Sequence, residues 1–91
     1  MFSPTHAFSG FSVNDLDAAR AFYSDTLGLA VVDGGMGTLR LTLPGGADVT
    51  IYPKETHEPA SFTILNFAVD DVEAAVDALN ERGVTTKIYD D

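Results

Sequence analysis

Between Thr38 and Leu43 the chain reads Thr-Leu-Arg-Leu-Thr-Leu, a strict alternation that predicts a strand with one face in a core. Leu39, Leu41 and Leu43 take the core side and leave Thr38, Arg40 and Thr42 on the other. Upstream, Asp15 is suited to cap a helix in which Leu16, Ala19, Tyr23 and Leu27 share a face, with Gly28 at the left-handed C-terminal position. The helix is expected over Leu16–Leu27. Strands are expected at His6–Val13, Leu29–Asp33, Thr38–Leu43 and Asp48–Tyr52, with a turn at Gly34–Gly37 and a Pro44-Gly45-Gly46 reversal. After a polar stretch from Pro53 to Ala60, Phe62–Val69 reads as another strand. Asp70 and Asp71 then introduce a second helix, carried by Val72, Ala75, Val76 and Leu79 and ended by Gly83. Val84–Tyr89 would begin one more strand.

The two halves repeat. Setting Phe11 on Phe67 aligns FSVNDLDAARAFY with FAVDDVEAAVDAL, five identities in thirteen positions at an offset of 56 residues. The predicted organisation is a first module over residues 1–53, a linker over 54–60 and an incomplete second module over 61–91, all within one α+β domain.

Charge narrows the partners. Fourteen acids against five bases give a formal net charge of −9, which opposes phosphate backbones and anionic lipid, so neither nucleic acid nor a membrane is expected as a partner. No apolar run is long enough to span a bilayer, and the N-terminus lacks a secretory pattern, so a cytoplasmic protein is expected. Cysteine is absent, which removes disulfides, thiolate nucleophiles and cysteine-ligated metals. Neither a Gly-x-Ser-x-Gly elbow nor a His-Glu-x-x-His pair occurs. Ninety-one residues bury only about 60–65% of their unfolded surface, so a partner that added buried area would matter.

FSVNDLDAARAFYSDTLGL resembles the V-x-D-L-x-x-A-x-x-F-Y-x-x-x-L-G-L signature of the vicinal-oxygen-chelate superfamily, which includes glyoxalases, bleomycin resistance proteins and extradiol dioxygenases. FAVDDVEAAVDALNERGV resembles the start of its second module. The resemblance implies a βαβββ module followed by the start, βαβ, of a second one, in a curved mixed sheet with helices on the convex face and a ligand site on the concave face. It also implies that metal-dependent members take ligands at positions that fall here on Phe8, at or near Thr50, on Ile64 and beyond Asp91. None of the three residues within the chain is a ligand type, so no metal and no other cofactor are expected. His6, two residues before Phe8, and His57, between Glu55 and Glu58, are the available imidazoles. The first is read as an exposed residue at a strand start and the second as a solvated loop residue.

What remains is a cleft. Phe8, Arg40, Thr50, Tyr52, Ile64 and Asn66 are its candidate ligand-binding residues, flat and apolar walls around one cation. The expectation is a small-molecule-binding protein whose ligand is aromatic or anionic, and a homodimer that completes the sheet. The open alternatives are a metal-dependent lyase, isomerase or dioxygenase whose ligands are out of register or lie beyond residue 91, and an interaction module completed by dimerisation.

Overall fold

In the computed structural model, which describes residues 1–86, the alternating pattern becomes a four-stranded mixed sheet. Its strands are β1 (Ser9–Val13), β2 (Ala30–Gly35), β3 (Thr38–Thr42) and β4 (Asp48–Pro53), in the order β1-β4-β3-β2. β1 runs parallel to β4, and the other pairings are antiparallel. The parallel pair needs a long crossover, supplied by helix α1 (Leu16–Arg20) and the helical turn that follows it. This is the βαβββ module expected from the sequence.

The alternation sorts the faces as the sequence requires. Leu39, Leu41, Val49 and Ile51 are buried with Ala19 of α1, while Phe11, Val13, Leu16, Tyr23 and Leu65 pack around them half-buried. Leu43, the last of the expected core leucines, is only half-buried because β3 ends at Thr42.

Both reversals are explained by backbone chemistry. Met36 and Gly37 stand at φ 54° and 74°, the double left-handed conformation that matches the twist of a two-residue hairpin. β2 therefore runs on to Gly35 rather than stopping at Asp33, with a register shift between Asp33 and Gly35. At the second reversal Gly46 N–H bonds the Leu43 carbonyl at 3.0 Å, and Gly45 takes φ 95° after Pro44.

The two helices start alike and end differently. Asp15 Oδ1 accepts from Ala18 N–H at 3.0 Å, and Asp71 Oδ1 accepts from Ala74 N–H at 3.0 Å, so the repeat reproduces its cap. Helix α2 (Val72–Glu81) closes with Gly83 N–H on the Asn80 carbonyl and Val84 N–H on the Leu79 carbonyl, a Schellman ending. In the first helix the corresponding bonds each reach one residue further back, from Gly28 to Ser24 and from Leu29 to Tyr23. The single helix expected over Leu16–Leu27 is in fact α-helical over Leu16–Arg20 and π-helical over Ala21–Thr26. Thirteen positions separate Asp15 from Gly28 and twelve separate Asp71 from Gly83. The widened turn houses the one extra residue, as a π-bulge does.

Two expected strands differ. Phe62–Val69 joins no ladder, because a strand exists only against a partner and none of the described residues pairs with its backbone. Residues 84–86 are not a strand, and the remainder of the expected Val84–Tyr89 strand lies outside the described residues. The first strand starts at Ser9 rather than His6, with Ser9 opposite Val49 near the start of β4. Among the described residues the buried core lies in the first module alone, and the radius of gyration, 14.9 Å, exceeds the roughly 12 Å usual for a chain of this length.

Candidate functional site

The side of the sheet away from α1 carries the candidate site. Pairing places Gly10 beside Thr50, Thr50 beside Arg40 and Arg40 beside Val32, one rung across all four strands. Strand side chains alternate, so the rung faces away from the Leu39, Leu41, Val49 and Ile51 core. At Gly10 the backbones of β1 and β4 come close, and a Cβ there would sit 3.0 Å from the Thr50 carbonyl oxygen.

Two clefts open on this face. The first, about 220 Å³, is lined by His6, Phe8, Gly34, Arg40, Asp48 and Thr50. His6 stacks on Phe8 with ring centroids 6.0 Å apart, and its Nε2 lies 3.5 Å from Asp48 Oδ2. Asp48 also accepts from Thr42 Oγ1 at 3.3 Å. Its carboxylate is thus occupied by His6 and Thr42, and among the described residues Arg40 forms no ion pair. Arg20, by contrast, is engaged by Asp33 on the other side of the sheet.

The second cleft, about 280 Å³, lies over Gly10, Ser12 and Tyr52 and is closed by His57 of the linker and by Phe62 and Ile64 of the segment that follows it. His57 is not the solvated loop residue expected from KETHEP. Its N–H bonds the Lys54 carbonyl at 3.1 Å, a turn that brings the half-buried ring back over β1, where Nδ1 lies 2.8 Å from Ser12 Oγ. Glu55 and Glu58 stay exposed.

The six residues singled out from the sequence are therefore divided. Phe8, Arg40 and Thr50 meet in the first cleft, Tyr52 and Ile64 in the second, and Asn66 stands apart near Leu43 and Pro44. The separation follows from the linker, which carries Ile64 to the β1 and β4 end of the face, away from Arg40. Sequence reasoning missed His6, Asp48, Ser12 and His57 as neighbours; the one signal for the last pair was a histidine in a short segment bounded by Pro53 and Pro59.

The family model described as the Glyoxalase/Bleomycin resistance protein/Dioxygenase superfamily matches residues 5–88. The chain belongs to this superfamily. A superfamily member from Sphaerobacter thermophilus is similar at 27% identity and a TM-score of 0.70, with 90% of this chain and 74% of that one covered. A glyoxalase/bleomycin resistance protein from Streptomyces sp. CB03234 is 29% identical with a TM-score of 0.61, covering 87% and 76%. Lactoylglutathione lyase from Agrobacterium tumefaciens is 25% identical with a TM-score of 0.53, covering 87% and 68%. No curated protein matches.

Superfamily membership raises the question of a divalent ion, which bears on the positions the sequence resemblance assigns to metal ligands. Phe8 and Ile64 have no donor atom, and Thr50 offers a hydroxyl between Gly10 and Arg40, where a cation would meet the guanidinium. Among the described residues no three His, Asp or Glu side chains come together. Nor is any helix among them long and apolar enough to cross a membrane.

Proposed function

We propose that this superfamily member is a cytoplasmic small-molecule-binding protein that holds a flat anionic or aromatic compound on the concave face without a metal. One observation carries the reading. Arg40 stands in the middle of a four-strand rung, in one cleft with the exposed ring of Phe8, and Asp48, the carboxylate of that cleft, is engaged by His6 and Thr42. In an acidic molecule, a guanidinium so placed is a local attraction for a carboxylate or phenolate, and its planar fork suits two parallel hydrogen bonds. Each cleft alone is below the roughly 300 Å³ at which ligand sites begin, but they share a face, since Gly10 and Ser12 pair with Thr50 and Tyr52. A ligand lying along β1 and β4 would touch both. The similarity to a protein named for bleomycin resistance supports sequestration as the mode of action.

The similarity to lactoylglutathione lyase and the meeting of His6 with Asp48 favour a second reading, a metal-dependent lyase, isomerase or dioxygenase. Two donors are one fewer than the three protein ligands usual at a catalytic metal. Thermal shift against a panel of aromatic carboxylates and phenols, with and without divalent metals, separates the two. Stabilisation by a carboxylate in chelator, lost on Arg40→Ala, supports binding without metal. Stabilisation that requires a metal and disappears on His6→Ala supports the enzyme.

A further inference from the structure

Ser12 and His57 are 45 positions apart, and the fold sets them together on the concave face: Nδ1 lies 2.8 Å from Oγ, both residues are half-buried, and both line the second cleft. Around them the lining is largely apolar, with Phe11, Tyr52, Phe62 and Ile64. A polar pair in an apolar wall fixes the orientation of what binds there. One hydrogen bond does not exhaust this pair. When Ser12 donates to Nδ1, Nε2–H remains as a donor and the serine oxygen as an acceptor; when Nδ1–H donates, the Ser12 hydroxyl is the remaining donor and Nε2 the remaining acceptor. Either way the pair presents one donor and one acceptor.

The simplest match is an uncharged hydroxyl, which donates and accepts through a single atom. Charge agrees with that choice. Glu58 lines the second cleft and no Lys or Arg does, so a carboxylate is repelled at this end and attracted at the other, where Arg40 stands.

Strand pairing gives the spacing. Arg40 on β3 lies beside Thr50 on β4, Thr50 lies beside Gly10 on β1, and Ser12 follows two residues further along the strand. At about 4.8 Å between strands and about 3.3 Å per residue, Arg40 and Ser12 stand about 12 Å apart on the diagonal. A hydrogen bond of about 3 Å at each end leaves about 6 Å for the ligand, the span of one para-substituted ring. Gly10 has no side chain to wall one cleft from the other, and a Cβ there would already sit 3.0 Å from the Thr50 carbonyl oxygen.

On the reading of Arg40 given above, we infer that Ser12 and His57 recognise a neutral hydroxyl, and that the compound held on this face is a one-ring aromatic acid with that hydroxyl para to its acidic group. The arrangement selects two polar groups at opposite ends of the ring, not two neighbouring ones.

Calorimetry with benzoate, para-hydroxybenzoate and ortho-hydroxybenzoate distinguishes the possibilities. The wild-type protein should bind the para isomer about tenfold more tightly than benzoate, the scale of one net hydrogen bond. It should bind the ortho isomer no more tightly than benzoate, because that hydroxyl lies beside the carboxylate. Ser12→Ala and His57→Ala should each bring para-hydroxybenzoate down to the affinity of benzoate, while Arg40→Ala should weaken all three acids alike. A para isomer that binds no better than benzoate or the ortho isomer overturns the inference, and a loss of binding on Arg40→Ala then still upholds the wider reading. The wild-type comparison decides this even if a variant does not fold. A para advantage that survives both Ser12→Ala and His57→Ala, in proteins with the wild-type melting curve, also overturns the inference, since the hydroxyl is then read elsewhere. If none of the acids binds, or all bind wild type and Arg40→Ala equally, the inference and the reading fall together.

Discussion

Arg82 Nη1 donates a 3.1 Å hydrogen bond to the backbone carbonyl of Thr26, 56 positions before it and in the other half of the repeat. The bond ties the C-terminal end of α2 to the end of the π-helical turn, where carbonyls lack intrahelical partners. It joins the two halves directly, and an apolar groove lies beside it.

Arg82→Ala should lower stability by no more than about 1.5 kcal/mol, the upper end for an ordinary hydrogen bond, because the contact is exposed. Urea unfolding measures this. Ligand affinity should be unchanged, and a large loss of affinity would show that the halves couple to the cleft.

Arg40→Ala should do the reverse. Stability stays close to wild type, since the residue is exposed and makes no ion pair among the described residues. Affinity for an anionic ligand falls by about 1–3 kcal/mol, the worth of a charge-assisted hydrogen bond. Calorimetry with a carboxylate from the thermal-shift panel reads both; equal affinities for wild type and variant would identify Arg40 as a solvated sheet residue.

Expression in metal-supplemented medium followed by elemental analysis should find less than one transition metal per chain, as the Phe8, Thr50 and Ile64 positions imply. One equivalent of zinc, nickel, manganese or iron, lost on replacing His6 or His57, would sink the metal-free reading.

Leu41 is fully buried at the centre of the only buried cluster among the described residues. Leu41→Ala should cost about 2–5 kcal/mol. That is a large share of the stability of so small a domain, and calorimetry should show a collapsed or absent unfolding transition.

Burial raises the Tyr23 phenol above its ordinary value of 10.0. The folded state therefore holds the phenolic proton where the unfolded chain has begun to release it. The corresponding stability is complete below about pH 10 and is lost as pH rises through the folded value. Tyr23→Phe should remove this alkaline slope while keeping the ring contacts with Phe11 and Phe22. An unchanged slope would place its origin in another group.

The sequence alone determined every feature whose cause lies within a few residues. The Asp15 and Asp71 caps, the Gly28 and Gly83 endings, the Pro44-Gly45 reversal and the Leu39/Leu41 core face each follow from local sterics or alternation. The π turn was legible only by comparing the two halves, because the 3.6-residue pattern of Leu16, Ala19, Tyr23 and Leu27 does not show a single added residue. Tertiary structure decided the rest. Phe62–Val69 has a strand's composition, yet a strand is a relation between two segments, and nothing local to the run says whether a partner is present. His57 meets Ser12 and His6 meets Asp48 across 45 and 42 positions, and Ile64 is parted from Arg40 by the course of the linker. Those are facts of chain path, fixed by packing and hydrogen bonding among distant segments that no window of sequence contains.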